Sequence, residues 1–135
     1  MRMLLLAGLA ALVSTSALAI EVQRQRVATL PTAEWVGYSA SPNGRVFQSK
    51  VFENEMLAKA SARAECSSTS LRTCEWMSTI AVGPSSYVVA INCGGRESFI
   101  GGSNIDGGAA LWMAHNKARS RNWSPANCRQ VFESD

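Results

Sequence analysis

The same order of features occurs twice along the chain, and this repetition limits the possible folds more than any other property of the sequence. Gly44-Arg45 is followed by an alanine-rich stretch at residues 56–64. Gly95-Arg96 lies 51 positions later and is followed by a second alanine-rich stretch at residues 109–118. A unit of this length is one supersecondary motif, which buries its apolar face only against a neighbour. The sequence therefore predicts two packed copies of one motif.

Beyond these turns the matching residues lie 54 positions apart. At this offset Leu57 corresponds to Leu111, and Cys74 corresponds to Cys128. The three additional residues of the second copy fall near residues 101–103, where a surface connection accepts an insertion at small entropic cost. We therefore expect Leu57 and Leu111 to occupy equivalent buried sites under one sheet.

Each copy is predicted to contain a strand, a turn, a strand, a helix and a further strand. Asn43-Gly44 is a strong tight-turn signal, and Gly83-Pro84 connects two β-rich runs that are expected to pair antiparallel. The predicted fold is α+β, with two β-β-α-β units (34–82 and 86–133) forming one mainly antiparallel sheet and both helices packed on one face. The predicted strands are residues 35–40, 46–52, 74–82, 87–91, 97–101 and 127–133, and the predicted helices are residues 56–65 and a second run that ends at residue 121.

Both helices are predicted to lie close to the sheet, because their apolar faces consist mostly of alanine. Asn54 is suited to cap the first helix, whereas Ser103 and Asp106 are alternative caps for the second. The predicted buried faces are Met56, Leu57, Ala60 and Ala64 in the first helix, and Ala110, Leu111, Ala114 and Ala118 in the second.

Residues 1–19 have the three parts of a secretory signal peptide, namely a basic start at Met1-Arg2, an apolar run at 3–13 and a cleavage site at Ala17-Leu18-Ala19. The apolar run is shorter than the ~20 residues that a bilayer span requires. We therefore expect cleavage and no membrane span in the mature chain, which is predicted to be periplasmic or secreted. Residues 20–33 read as a flexible polar leader, and residues 34–135 as a single disulfide-bonded domain.

The charge of the mature chain does not favour nucleic acid as a partner. Removal of Arg2 leaves twelve Lys and Arg residues against ten Asp and Glu residues, a net charge of +2. Such a balance gives neither the electrostatic footprint of a nucleic-acid-binding protein nor a polybasic membrane surface.

Four cysteines in a chain with an export signal predict two disulfide bonds. Their spacing lacks the close pairs of a zinc site, and His115 is the single histidine. Within a β-β-α-β unit the end of the first strand lies near the start of the third. This geometry favours Cys93 with Cys128 and leaves Cys66 for Cys74, among the three pairings that four cysteines allow.

This pattern resembles a family of small exported bacterial domains of unknown function, which are built from two β-β-α-β units with alanine-rich helices. The resemblance implies the fold and the export, but no activity, because the family has no catalytic motif to carry over. It covers nearly all of the mature chain and rests on Trp35 with Ser41-Pro42-Asn43-Gly44, the helix at 58–66, Cys74 with Trp76, Asn92-Cys93, and the second helix leading to Cys128.

Nothing in the sequence identifies a reaction. His115 has no acidic residue at helical spacing to orient it, and Cys93 is better explained as half of a disulfide than as a nucleophile. The glycine-rich residues 101–108 precede a helix, but they lack the motif of a phosphate loop and read as a flexible connector. We therefore predict no catalytic residue, no metal and no cofactor. The carboxylates from which a hydrolase could draw a pair are Glu53, Glu55, Glu65, Glu75 and Glu97.

The expected function is non-enzymatic binding, most simply of another protein in the cell envelope in an inhibitor or immunity-like role. Two alternatives stay open: an envelope saccharide or peptidoglycan-binding module, which needs two exposed aromatic rings on one face, and a small hydrolase that uses paired carboxylates. Most of the four tryptophans are expected in the core. The residues predicted to form a binding surface are Trp112, Trp123, Lys117, Arg119 and Arg121.

Overall fold

The computed structural model describes residues 34–70 and 73–134. The predicted signal peptide and leader lie outside the described residues. The first unit contains β1 (Trp35–Ala40), β2 (Val46–Phe52), α1 (Glu55–Thr69), a 3₁₀ turn (Trp76–Ser78) and β3 (Thr79–Val82). The second contains β4 (Tyr87–Cys93), β5 (Glu97–Ser103), α2 (Gly107–Ser120), a 3₁₀ turn (Pro125–Asn127) and β6 (Cys128–Glu133). The α+β class and the two β-β-α-β units are thus confirmed.

Local sequence signals account for the start of each helix. The Asn54 side chain accepts hydrogen bonds from the backbone N–H groups of Met56 at 2.8 Å and Leu57 at 3.2 Å. Asp106 is the cap of α2, since its carboxylate accepts from the Ala109 N–H at 2.7 Å. Each oxygen satisfies backbone donors that have no partner inside the helix.

The prediction of one continuous sheet is wrong. The strands form two antiparallel sheets, in the orders β2-β1-β3 and β5-β4-β6. The strand β4 hydrogen-bonds to β5 along one edge and to β6 along the other. Because no edge of β4 is left open, β3 cannot pair with it across Gly83-Pro84, and each unit completes a sheet of its own.

The edge strand β5 lies beside β3 without joining it. The carbonyls of Ser98 and Ile100 are two residues apart and therefore point to the same side of the strand. Ser78 Oγ donates to the Ser98 carbonyl at 2.7 Å, and Lys117 Nζ donates to the Ile100 carbonyl at 2.5 Å. Side chains from the 3₁₀ turn and from α2 thus satisfy acceptors that a neighbouring strand would otherwise use.

The two sheets nevertheless share one apolar core. Alternation along the strands directs Tyr38 and Ala40 of β1, and Val88 and Ala90 of β4, into a common cluster with Ile100. The partly buried side chains around this cluster come from both units: Val36, Val46, Ile80, Val82, Val131 and Phe132. The units are therefore held together mainly by the inner faces of their sheets.

A buried polar network also links the units, at one end of the shared core. Asn92 Nδ2 lies within hydrogen-bond distance of the Pro42 carbonyl at 2.9 Å and of Ser98 Oγ at 3.0 Å. Ser98 Oγ in turn donates to the Ser41 carbonyl at 2.7 Å. The tight turn after β1 is thus fixed to the second unit, and its buried carbonyls are satisfied.

Each helix covers the outer face of its own sheet, at a distance that only small residues allow. A Cβ at Gly37 would overlap the Ala58 carbonyl and lie 3.1 Å from the Ala62 Cβ. A Cβ at Gly101 would lie 2.6 Å from the Ala114 backbone nitrogen. Gly101 is therefore part of β5 and of a close contact. The prediction that residues 101–108 form a flexible connector is wrong for residues 101–103, which belong to β5, and for Gly107 and Gly108, which begin α2.

The predicted buried face of α2 is confirmed, but that of α1 is wrong. In α2, Ala110, Ala114 and Ala118 are buried and Leu111 packs partly against the core. In α1 the buried residues are Ala58, Ala62 and Cys66. The residues that had been predicted to be buried in α1 are exposed: Met56, Leu57, Ala60 and Ala64.

The equivalent positions of the two units therefore differ by 52 residues, not 54. Ala58 corresponds to Ala110 in this alignment, and Phe47, which packs on the Cys66–Cys74 cluster, corresponds to Phe99 in the second core. Alanine stands at every second position from residue 58 to residue 64, so an alignment can slip by two residues without losing an alanine match.

Replacement of Gly101 by alanine tests the close packing of α2 on β5. Because the added methyl group meets backbone atoms, which cannot rotate away, we expect a loss of about 1–3 kcal/mol in the free energy of unfolding. Gly83→Ala is the control, since its Cβ would find its nearest neighbour, the Glu34 carbonyl oxygen, at 3.9 Å. Urea unfolding measures both variants. Equal midpoints for Gly101→Ala and the parent would contradict the contact.

Alanine substitutions at Leu57 and Leu111 test the corrected helix alignment. Leu57 is 56% exposed, whereas Leu111 packs against the buried cluster. Leu57→Ala should therefore cost less than about 1 kcal/mol, and Leu111→Ala about 1–3 kcal/mol. Urea unfolding of the two variants side by side gives the comparison. Equal losses at both sites would support the 54-residue alignment instead.

Candidate functional site

All four cysteines form disulfide bonds in the predicted pairing. Cys66 at the end of α1 is bonded to Cys74, and Cys93 at the end of β4 is bonded to Cys128 at the start of β6. Cys93 and Cys128 are direct partners in the β4–β6 register. Cys93 is fully buried and holds no thiol, so it offers no nucleophile.

Two of the five candidate carboxylates, Glu75 and Glu97, both contact the guanidinium of Arg121. Arg121 Nε lies 3.3 Å from Glu97 Oε2, and Arg121 Nη2 lies 3.9 Å from Glu75 Oε2. These contacts raise the pKa of Arg121, first through the hydrogen bond to Glu97 and then through the charges of Glu97 and Glu75. The adjacent cavity measures about 30 Å³, which is room for a single water. A sugar ring does not fit between these carboxylates.

The two other candidates from the sequence are His115 and the N-terminus of α2. His115 lies half-buried on α2, and its buried Nδ1 finds no hydrogen-bond partner among the described residues. The N-terminus of α2 already holds the carboxylate of Asp106, which disfavours an added anion there. In the described part of the chain, no group of three His, Cys, Asp or Glu side chains is placed to hold a metal ion.

The structure distributes the predicted binding residues over different places. Trp112 is 59% exposed and lies, with Arg119, on the side of α2 away from the sheet. Trp123 packs against the second core, with the Arg96 guanidinium 5.6 Å from its ring centre. Arg121 is engaged by the two carboxylates. Lys117 points toward the β5 edge, so the five residues do not form one continuous surface.

A groove beside Trp76, which the sequence analysis did not identify, combines exposed apolar side chains with cations. We call it the Trp76 groove; its volume is about 250 Å³, and it is lined by Met56, Lys59, Ala60, Arg63, Trp76 and Thr79. Trp76 is 68% exposed and Met56 is 74% exposed. Strand β3 begins only at Thr79, so Trp76 lies in the preceding 3₁₀ turn and not in the strand predicted for residues 74–82.

The charge of Lys59, which lines the groove, also acts on Lys117 of α2, which lies outside the lining. Burial lowers the pKa of Lys117, and repulsion by the charge of Lys59 adds to this effect. Met113 is one helical turn before Lys117 on the same side of α2 and is 41% exposed. The groove itself is lined by residues of α1, the 3₁₀ turn and β3.

A larger cavity of about 450 Å³ has a different character. It lies among turns and the end of α1, and most of its lining is small or polar. Its cation, Arg45, stacks on the Phe47 ring with 5.0 Å between the guanidinium carbon and the ring centre. This cavity offers no exposed large apolar anchor, so the Trp76 groove is the better candidate for a protein-binding site.

The chain matches no family model, no curated protein and no solved structure. The resemblance stated from the sequence therefore stays a prediction. Among the described residues, no helix has the length and apolar character needed to cross a membrane.

The depressed pKa of Lys117 predicts a pH dependence of stability. The unfolded chain holds this proton more tightly than the folded chain, so the charged lysine opposes folding at neutral pH. The penalty fades as the pH rises from the lowered pKa toward the ordinary value of 10.5. We expect the stability of the parent, relative to Lys117→Met, to increase over this window in urea unfolding at a series of pH values.

Lys50→Met is the matched control for this experiment, because Lys50 is exposed on β2. The difference in the free energy of unfolding between Lys50→Met and the parent should stay constant over the same pH range. A constant difference for Lys117→Met as well would show that Lys117 does not lose solvation on folding.

Proposed function

We propose that this chain is an exported, non-enzymatic domain that binds another protein of the cell envelope, in an inhibitor or immunity-like role, through the Trp76 groove. Export is supported by the signal-like residues 1–19 and by two disulfide bonds, which form and persist in oxidising compartments. Binding is supported by the chemistry of the groove. The proposed location is the periplasm or the exterior of the cell.

The observation that carries the proposal is the joint exposure of Trp76 and Met56 beside cations. Contiguous exposed apolar side chains with a polar rim are typical of protein–protein interfaces, in which Trp and Met are enriched. Covering a largely exposed tryptophan removes on the order of 150 Å² from water, which corresponds to roughly 3–4 kcal/mol before the costs of association. One such anchor is typical of an interaction hot spot.

The groove is less suited to the other two functions. Saccharide binding requires two aromatic rings on one face, whereas the groove lining contains one ring, that of Trp76. Carboxylate-based hydrolysis requires two carboxylates separated by a substrate, whereas Glu75 and Glu97 are separated by Arg121.

Capture of partners by the immobilised mature chain tests the proposal, using four forms: the parent, Trp76→Ala, Trp112→Ala and Ile105→Ala. Ile105 is 75% exposed and lies outside the groove, so it controls for the loss of any exposed apolar side chain. We expect the parent and Ile105→Ala to capture the same envelope protein in stoichiometric amount. Trp76→Ala should reduce its capture at least about tenfold, since the anchor contributes more than 1.4 kcal/mol.

The same experiment can contradict the proposal in three ways. Loss of capture with Trp112→Ala instead would place the binding surface on the outer side of α2. Retention only on peptidoglycan or glycan material would indicate a saccharide-binding module. Equal capture by all four forms would show that the groove is not the site. Thermal unfolding of each form confirms that the exposed substitutions leave the domain folded.

A further inference from the structure

We propose that the Trp76 groove binds an acidic segment of its partner, with one apolar side chain against Trp76 and Met56 and carboxylates paired with Arg63 and Lys59. This inference deepens the proposed function and rests on it, because it names the chemical class of the segment that occupies the groove. The observations that support the inference are the charges of the side chains at the groove.

The cations around the groove outnumber the carboxylates. Glu55 pairs with Lys59 at 3.4 Å on the solvent side of α1, and this is the one ion pair that the groove cations form within the described residues. Arg63 and Lys117 carry charges that no carboxylate of the described chain neutralises. A ligand that brings carboxylates would complete these pairs.

Arg63 is held in place for such a contact. Its Nε donates to the Cys74 carbonyl at 3.1 Å, which ties the guanidinium to the disulfide-bonded end of the groove. The four N–H bonds of the two terminal nitrogens remain for a ligand. A fixed guanidinium presents parallel donors that match the two oxygens of a carboxylate, and little side-chain entropy is lost on binding.

Lys59, which lines the groove, and Lys117 on α2 carry charges that repel one another. The burial of Lys117 and, to a smaller extent, its repulsion by Lys59 disfavour the charged form of Lys117 in the free protein. A carboxylate paired with Lys59 in the groove would offset part of this repulsion. An acidic segment therefore gains from a feature that is unfavourable in the unbound domain.

The groove offers hydrogen-bond donors but few acceptors, which disfavours a sugar. Its hydroxyl, Thr79 Oγ1, is already within 2.7 Å of Ser39 Oγ. Sugar hydroxyls need acceptors as well as donors, whereas carboxylates need donors alone. The apolar side chains of Met56 and Ala60 further favour a peptide with an aliphatic or aromatic anchor.

Charge also disfavours the chain itself as the occupant. The predicted leader, residues 20–33, contains Arg24 and Arg26 against Glu21. A second copy of the mature chain would bring a net charge of +2 to a basic groove. A partner that carries an acidic segment is the complementary choice.

The test uses three capped hexapeptides that share a central Leu-Phe pair and differ in their flanking residues, which are four Glu, four Gln or four Lys. Binding is followed through amide and tryptophan indole signals in two-dimensional NMR spectra of the ¹⁵N-labelled mature chain. We expect the Glu peptide to bind at least about tenfold more tightly than the Gln peptide and to shift the Trp76 indole signal. The Lys peptide should bind more weakly than either.

Substitutions of single arginines show which side chain produces the preference for the Glu peptide. Arg63→Gln should reduce the advantage of the Glu peptide over the Gln peptide by about tenfold, and Arg63→Lys should restore part of it. Arg129→Gln removes an exposed cation on β6, away from the groove, and should leave the advantage unchanged. The advantage should also shrink at high salt, as screening weakens the attraction.

Three outcomes would overturn the inference: no binding of the Glu peptide at about 1 mM, equal binding of the Glu and Gln peptides, or an advantage that survives Arg63→Gln. Tighter binding of a thymidine oligonucleotide to the same indole would assign the groove to nucleic acid. Failure of this inference can be distinguished from failure of the proposed function. If a captured partner depends on Trp76 but not on Arg63, the domain binds proteins through this groove without requiring an acidic segment.

Discussion

The closeness of each helix to its sheet is the constraint on which the rest of the structure depends. Gly37 and Gly101 lie directly under backbone atoms of the helices, so the facing helical positions accept only small residues. Ala58 and Ala62 fill them in α1, and the alanines of α2 fill them in the second unit. This contact buries little area per residue, but it fixes the rotation of each helix about its axis.

Each helix packs against its sheet mainly through small residues, so most of its large side chains lie on faces turned away from the sheet. Met56 in α1 and Trp112 and Met113 in α2 are exposed for this reason, since the faces that would bury them are turned away from the sheets. The larger buried side chains lie between the two sheets and on the strands that face α2, and the disulfide bonds add covalent links. The large helical side chains are then available for contacts with other molecules.

The separation of the sheets produces the groove. Ser78 and Lys117 satisfy the carbonyls of the β5 edge, so β3 and β5 lie side by side without a shared ladder. The 3₁₀ turn that carries Ser78 also carries Trp76, whose ring remains outside the core. Lys117 closes the β5 edge and at the same time brings its charge near Lys59. The same contacts that divide the sheets thus place an aromatic ring among cations.

Local chemistry made several features predictable from the sequence. The cap at Asn54 depends on one residue and the backbone next to it, and the Asn43-Gly44 turn depends on the freedom of Gly44 to adopt a positive φ, observed at 98°. The disulfide pairing was also predictable, because the order of strands in a β-β-α-β unit brings Cys93 to Cys128 whatever the rest of the chain does. These features arise within one unit.

Only the tertiary structure decided the features that depend on how the units pack. The alternating alanines of α1 permit two helical rotations, and the backbone at Gly37 selects the one that buries Ala58. The strands form two separate sheets because β5 and β6 occupy both edges of β4. No single segment of the sequence reveals this pairing. The Trp76 groove depends on both results, because the rotation of α1 exposes Met56 and the break between the sheets leaves Trp76 uncovered. Sequence determined the elements and their order, whereas contacts between distant residues determined which faces meet solvent.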